Sequence, residues 1–297
     1  MPDLAIVIVN YKARDLLRDC LRSVQSNQGV CPEVYVVDNA SADGSVQMTQ
    51  EEFPGVHLLS LPENIGYGAA NNVGLRFALD QVSGPPRFLL LLNPDTVLPP
   101  AALAQSIAFL DEHHEAGAVG PKLVRQDGSL DKACRRGFPT PAVALYHFLF
   151  LDRLFPQSPR FARYNVTYLD ADKQAEVDSL VGAFMLIRRE ALEQAGLFDE
   201  SFFMYGEDLD LCFRIRQQGW QIWYDPDITV LHYKGASSRQ NSSKANFEFY
   251  RAMLLFHRKH FASRTFFLVN WLIVAAIVIK GGWALLRNTR APRVGSA

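Results

Sequence analysis

The stretch Phe198-Asp199-Glu200-Ser201-Phe202-Phe203-Met204-Tyr205-Gly206-Glu207-Asp208-Leu209-Asp210-Leu211 sets carboxylates among aromatic side chains. Glu207, Asp208 and Asp210 fall in the first turn of a helix predicted over Glu207 to Gln218 and closed by Gly219. Acids there complement the helix macrodipole, so capping alone accounts for any one of them. A carboxylate near a helix N-terminus also stays ionised at neutral pH, the state a general base needs to accept a hydroxyl proton. Two further acids, Asp38 and Asp95, directly follow buried apolar runs, Tyr35-Val36-Val37 and Leu89 to Leu92. Asp95 offers the hard oxygen that Mg²⁺ or Mn²⁺ takes when it also holds a diphosphate, and such a cation stabilises a departing diphosphate as a Lewis acid. Asp43, in the turn Ala42-Asp43-Gly44, reads as a turn or capping residue.

Two weaker signals accompany these. Asn64-Ile65-Gly66-Tyr67-Gly68 sits between a strand and a helix, where its glycines would let the backbone approach a phosphate. It is only half of a dinucleotide fingerprint, since the third glycine is missing, and a plain tight turn accounts for it as well. His232, in Leu231-His232-Tyr233-Lys234-Gly235, follows another strand-like run and reads equally as a buried structural histidine or a ligand.

The elements that must position these groups alternate. Short apolar runs at Ala5 to Val9, Glu33 to Val37, Val56 to Leu59 and Phe88 to Leu92 read as strands. Leu16, Leu17, Leu21 and Val24, then Ala69, Val73 and Phe77, then Leu103, Ile107 and Leu110 after Pro99-Pro100, fall at helical spacing. The alternation predicts an α/β fold with a parallel sheet covered by helices, whose ligands bind beyond the carboxyl ends of the strands. From Gly128 to Leu180 prolines and aromatics predict loops and short helices. Leu180 to Ile187 then reads as a strand and Arg189 to Ala195 as a helix closed by Gly196.

Lys+Arg 30 against Asp+Glu 31 leaves a net charge of -1, so no positive field holds nucleic acid by counterion release. Cys20, Cys31, Cys134 and Cys212 show no C-x-x-C spacing, which fits free thiols in a reducing, cytoplasmic compartment. The six apolar residues Leu4 to Val9, with Asp3 before them, read as a buried strand rather than a signal peptide. Phe266 to Ile279, polar only at Asn270, calls for a membrane reading. It falls short of the roughly 20 residues that span a bilayer unless the helix continues to Leu286. Arg258, Lys259 and Arg264 before it and Lys280, Arg287, Arg290 and Arg293 after it suit a helix on an anionic lipid surface.

Taken together, Ile8-Val9-Asn10-Tyr11, Val37-Asp38-Asn39-Ala40-Ser41, Asn64-Ile65-Gly66-Tyr67-Gly68, Leu92-Asn93-Pro94-Asp95, Gly182-Ala183-Phe184-Met185, Gly206-Glu207-Asp208-Leu209-Asp210 and His232-Tyr233 resemble the inverting glycosyltransferases of family 2. These have the GT-A fold, and the similarity is to the branch holding bacterial rhamnosyltransferases. It runs from Leu4 to Ser237. It implies a mostly parallel, Rossmann-like catalytic domain over 1–262, followed by an apolar, membrane-associating segment over 263–297. By resemblance, Asp38 holds the nucleotide base and Asn93 hydrogen-bonds the ribose. Asp95 holds a divalent cation (Mg²⁺ or Mn²⁺) and the diphosphate, with His232 beside it as a further ligand, and Asp208 is the catalytic base. Asn10, Asn39, Asn64, Gly66 and Glu207 line the donor site. The usual metal motif is Asp-x-Asp, whereas this chain has Asn93-Pro94-Asp95. The implied donor is a nucleoside diphosphate sugar, deoxythymidine diphosphate rhamnose ahead of uridine diphosphate sugars. The implied acceptor is a saccharide or polyprenyl-linked saccharide at the inner face of the cell membrane. Two other readings stay open, a metal-dependent nucleotidyltransferase and a non-catalytic sugar-nucleotide-binding protein.

Overall fold

The computed structural model describes residues 3–80, 84–233 and 242–290, so Lys234, Gly235, Ser237 and Arg293 lie outside the described residues. In chain order the first half runs β1 (Leu4–Asn10), α1 (Arg14–Gln25), β2 (Glu33–Asp38), α2 (Ser45–Glu52), β3 (His57–Ser60), α3 (Tyr67–Leu79), β4 (Phe88–Leu92), β5 (Thr96–Val97), α4 (Ala102–Glu112) and β6 (Ala116–Val124). The second half runs α5 (Pro141–Phe148), α6 (Leu151–Leu154), β7 (Ala175–Glu176), β8 (Phe184–Arg188), α7 (Arg189–Ala195), α8 (Glu207–Gln217), β9 (Gln221–His232), α9 (Ser242–His260) and α10 (Phe267–Arg290).

One sheet carries all the strands, in the order β3-β2-β1-β4-β8-β6-β9-β5, with β7 on β9. The strands β1 to β4 pair in parallel, as the alternation of strand and helix patterns requires. Their carboxyl ends therefore line up, and Asn10 stands opposite Asp38. Every residue of β1 and β4 is buried because helices cover both faces of a parallel sheet. Each large aliphatic side chain buried there contributes about 1.5–3 kcal/mol. Beyond β4 the sheet becomes mixed. β8 enters antiparallel between β4 and β6, β6 and β9 are parallel, and β5 returns antiparallel to β9.

The predicted strand over Leu180 to Ile187 begins only at Phe184. The preceding residues leave the ladder to serve a neighbouring segment: Ser179 and Arg136 exchange backbone hydrogen bonds, and Leu180 O accepts from the Arg136 guanidinium. Residues 128–180 otherwise hold loops and short helices, as their composition predicts, together with the two-residue strand β7. At the C-terminal end, α9 packs Ala252 and Phe256 into the core. The division at 262/263 falls inside a 3-10 turn, Ala262–Arg264, between α9 and α10. Asn270, the polar residue in the apolar run, accepts at Oδ1 from His257 Nε2 at 2.9 Å and donates from Nδ2 to Ala262 O at 2.7 Å, fixing α10 to α9.

Candidate active site

At the carboxyl ends of β1 and β2 the polar side chains form a neutral clamp. Asn10 Nδ2 donates to Asp38 Oδ1 at 3.0 Å and to Ser41 Oγ at 2.9 Å, and Ser41 N donates to Asp38 Oδ2 at 3.0 Å. Asp38 is buried and held at both oxygens, which fixes its orientation. The loop around it is strained: Ala40 and Ala42 sit at φ 61° and 50°, in the left-handed region that non-glycine residues rarely enter. Asp43 caps as its turn suggests, accepting from Arg14 N at 3.1 Å and Ser45 N at 3.0 Å. Asn39 ties this loop to the next, donating to Asn64 Oδ1 and Gly66 O, both at 3.2 Å, and accepting from Ile65 N at 3.0 Å.

The glycine turn is held from within the protein. Gly66 N donates to Asn64 Oδ1, Ile65 N to Asn39 Oδ1 and Tyr67 N to Phe203 O, so three successive amides are already engaged within the protein. A Cβ on Gly66, at φ 92°, would stand 2.6 Å from Phe203 O. Glycine is needed there because the loop before α8 lies directly on the start of α3.

Asp95 and His232 meet through the β5–β9 pairing, in which Thr96 stands opposite His232. His232 Nε2 lies 3.3 Å from Asp95 Oδ1, and its Nδ1 lies 3.0 Å from Asp131 Oδ2. Burial alone would depress this imidazole, but hydrogen bonds to Asp131 and Asp95 raise its pKa to about 9. A buried carboxylate on Nδ1 leaves Nε2 turned to Asp95, and a carboxylate so placed is the usual support for a metal-ligating histidine. One carboxylate oxygen and one imidazole nitrogen suit a divalent cation whose other positions go to diphosphate and water. Among the described residues no cluster of three or more His, Cys, Asp or Glu side chains offers a full shell of protein ligands. Asp131 carried no sequence signal, lying 101 residues from its partner. Asn93 Oδ1 lies 2.9 Å from the Tyr67 hydroxyl, which also reaches Gly182 O at 2.9 Å.

The acids of α8 share one helix dipole yet differ sharply. Asp208 is buried against Arg136, whose Nη2 lies 2.6 Å from its Oδ2, and it accepts from Leu209 N at 2.7 Å. Glu207 is buried with Oε2 lacking a hydrogen bond, and burial, then the charge of Asp208, pushes its pKa up to about 8. Asp210 is fully buried. Burial would raise its pKa, but hydrogen bonds from His260 and Lys259 and the Arg214 charge hold it below the ordinary value. His260 Nε2 is 2.7 Å, Lys259 Nζ 2.8 Å and Arg214 Nε 2.8 Å from it, so Asp210 anchors α9. Burial and partner charges thus outweigh the macrodipole on which the sequence reading relied. Arg136 escaped sequence reasoning because 72 residues separate it from Asp208.

The halves of the site meet at Tyr67. Its phenol is raised far above the ordinary range first by burial, then by the negative charge of Glu207, with Asp208 and Asp95 adding to it. Its hydroxyl reaches Asn93 at β4's end, its amide donates to Phe203 O in the loop before α8, and a Cβ on the adjacent Gly68 would stand 3.6 Å from the Glu207 Cβ, so this half-buried residue joins the two sides.

A family model described as glycosyltransferase like family 2 matches residues 2–250. The chain is 31% identical over 241 residues to the N-acetylglucosaminyl-diphospho-decaprenol L-rhamnosyltransferase of Mycobacterium tuberculosis (strain ATCC 25618 / H37Rv), covering 79% of this chain and 77% of that one. It is 25% identical over 241 residues to rhamnosyltransferase WbbL of Escherichia coli (strain K12), covering 81% and 87%. Among solved structures it is similar in fold to the mannosyltransferase PcManGT from Pyrobaculum calidifontis in complex with GDP-Man and Mn2+, with a TM-score of 0.58, 18% identity, and coverage of 100% and 76%.

Proposed function

The chain belongs to glycosyltransferase family 2, and on that premise we propose that it moves rhamnose from a nucleoside diphosphate to a hydroxyl of a lipid-linked saccharide, with inversion. The junction at Tyr67 carries this reading, since its contacts to Asn93 at β4's end and to Phe203 before α8 bring the diphosphate-side strand end and the helix that bears the base into one site.

Asp38, held by Asn10 and Ser41, orients the nucleotide base, and Asn93 faces the ribose. Asp95 and His232 would hold a divalent cation, which when bound supplies counter-charge to the diphosphate and stabilises it as it leaves. Asp208 takes the proton of the attacking acceptor hydroxyl. Arg136 aims its carboxylate through a bond to Oδ2, while Oδ1, which accepts from Leu209 N, has a second lone pair to receive the proton. Glu207, protonated at neutral pH, adds no second charge beside Asp208, so the acceptor meets one basic carboxylate. A single base suffices for direct displacement, unlike the carboxylate pair of glycoside hydrolysis. α10, with Phe267–Arg287 long and apolar enough to cross a bilayer, holds the enzyme to the membrane where lipid-linked acceptors reside. On this reading the catalytic domain works at the cytoplasmic face of that membrane.

The relative from Mycobacterium tuberculosis is named for transfer of rhamnose to a decaprenyl-linked sugar, which supports this donor and acceptor class. Incubation with deoxythymidine diphosphate rhamnose and uridine diphosphate sugars, a polyprenyl diphosphate saccharide and Mg²⁺ or Mn²⁺ tests it. Free nucleoside diphosphate and an inverted rhamnoside are expected. Pyrophosphate as the product would mean attack at phosphorus and would overturn the reading.

A further inference from the structure

The segment from Pro141 to Phe155 has no part in the site just described, yet its outer face is strongly apolar. Leu149 is 54%, Phe150 55% and Leu154 69% exposed, with Leu145 and Phe155 beside them. Its inner face is firmly built. Thr140 caps α5 through Val143 N, Val143 is buried, and His147 Nδ1 lies 2.7 Å from the buried Asp152 Oδ2, bracing α5 on α6. Tyr146 and Phe155 pack on Phe161 with centroids 5.0 and 5.4 Å apart. Between the helices Phe150 adopts φ 58°, a left-handed conformation that turns the chain where the ring is presented. Contiguous apolar surface on a rigid support marks a contact site rather than a stray exposed side chain.

α10 adjoins this face. Lys280 Nζ lies 5.9 Å from the Phe150 ring, and α10 itself exposes Phe267, Trp271, Leu272, Ile279 and Trp283. Cations stand among the rings on both elements: Arg153 over Phe150, Arg160 over Tyr146 and Phe161, and Arg287 over Trp283. Aromatic and aliphatic groups interleaved with cations suit the headgroup layer of an anionic bilayer, where rings enter the acyl boundary and cations meet phosphates.

We infer that α5 and α6 form a second membrane-contacting element, which docks on anionic phospholipid beside α10 and fixes how the active site faces the bilayer. The inference rests on the reading of α10 as membrane-embedded. A single helix leaves a domain free to pivot, whereas a second contact on a different element removes that freedom. From Pro141 back to Arg136, the partner of Asp208, is five residues, at most about 17 Å of chain. A saccharide standing on a lipid diphosphate is therefore met close to the surface that carries it.

The test uses the full chain with Cys31→Ser, so that an environment-sensitive fluorophore can be placed singly by Leu149→Cys, Leu272→Cys or, as a polar control, Glu51→Cys. Vesicles of phosphatidylethanolamine with phosphatidylglycerol should shift emission to the blue at 149 and 272 and leave 51 unchanged, with a smaller shift at 149 on phosphatidylcholine alone. A shift at 272 without one at 149 overturns the inference and leaves the α10 reading standing. No shift at either overturns both. A shift at 149 that follows protein concentration without vesicles assigns the face to a second copy of the chain and also overturns it. Phe150→Ser with Leu154→Ser should lower transfer to a vesicle-borne acceptor about tenfold while leaving a water-soluble acceptor unaffected, and Phe150→Trp should keep both. Equal loss on both acceptors would also contradict the inference.

Discussion

The two sides of the active site are held by different physics. Around Asp38 the clamp is made of amides and a hydroxyl, Asn10, Ser41, Asn39 and Asn64, drawn from the ends of neighbouring parallel strands and the loops after them. Around α8 the bonds join charges: Arg136 to Asp208, and Arg214, Lys259 and His260 to Asp210. Neutral bonds set the shape of a pocket without fixing its charge. The buried ion pairs instead set Asp208 and Asp210 apart from Glu207, a division that suits the proposed binding on one side and proton transfer on the other.

Asp208→Asn puts the largest strain on that contrast. It should lower transfer by about 10³-fold, as loss of a general base does, while donor affinity holds. Rapid-quench kinetics with direct donor titration measure both. Asp210→Asn should cost about 3 kcal/mol of stability, because it leaves Arg214, Lys259 and His260 facing a neutral group in a buried site, and chemical denaturation reads the loss. Glu207→Gln acts through pH. The native carboxyl titrates at about 8 against 4.5 when unfolded, so the folded chain holds the extra proton between those values. Stability therefore falls as pH rises from 4.5 to 8. The glutamine variant should lose that slope and gain on the parent by on the order of 4 kcal/mol by pH 8. Arg136→Lys cannot reach the Asp208 carboxylate and Leu180 O with one planar fork, and should lower transfer by about 10²-fold with donor affinity unchanged.

The same contrast explains what could be read beforehand. Asp38, Asp95 and the strands before them are legible because a parallel strand is a continuous apolar run and its carboxyl end is marked by the first polar residue. The acids of α8 were visible as a group, but their separate duties were not. Those depend on Arg136, on Lys259 and on burial, none of which leaves a local pattern. Gly66 was legible as a glycine turn, but the Phe203 carbonyl that also requires glycine there was not, since it comes from a distant loop. The mixed second half of the sheet was equally hidden, because the pairing of β8 between β4 and β6 is fixed by contacts across the fold.

The central claim is that this glycosyltransferase binds its donor with the strand ends and reacts through the helix. Calorimetric titration of the nucleoside diphosphate sugar, with Mn²⁺ present, into Asp38→Asn and Asp208→Asn tests it most directly. The account predicts affinity at least about tenfold weaker for the first, through loss of a charge-assisted bond, and within about threefold of the parent for the second. The reverse ranking would contradict it.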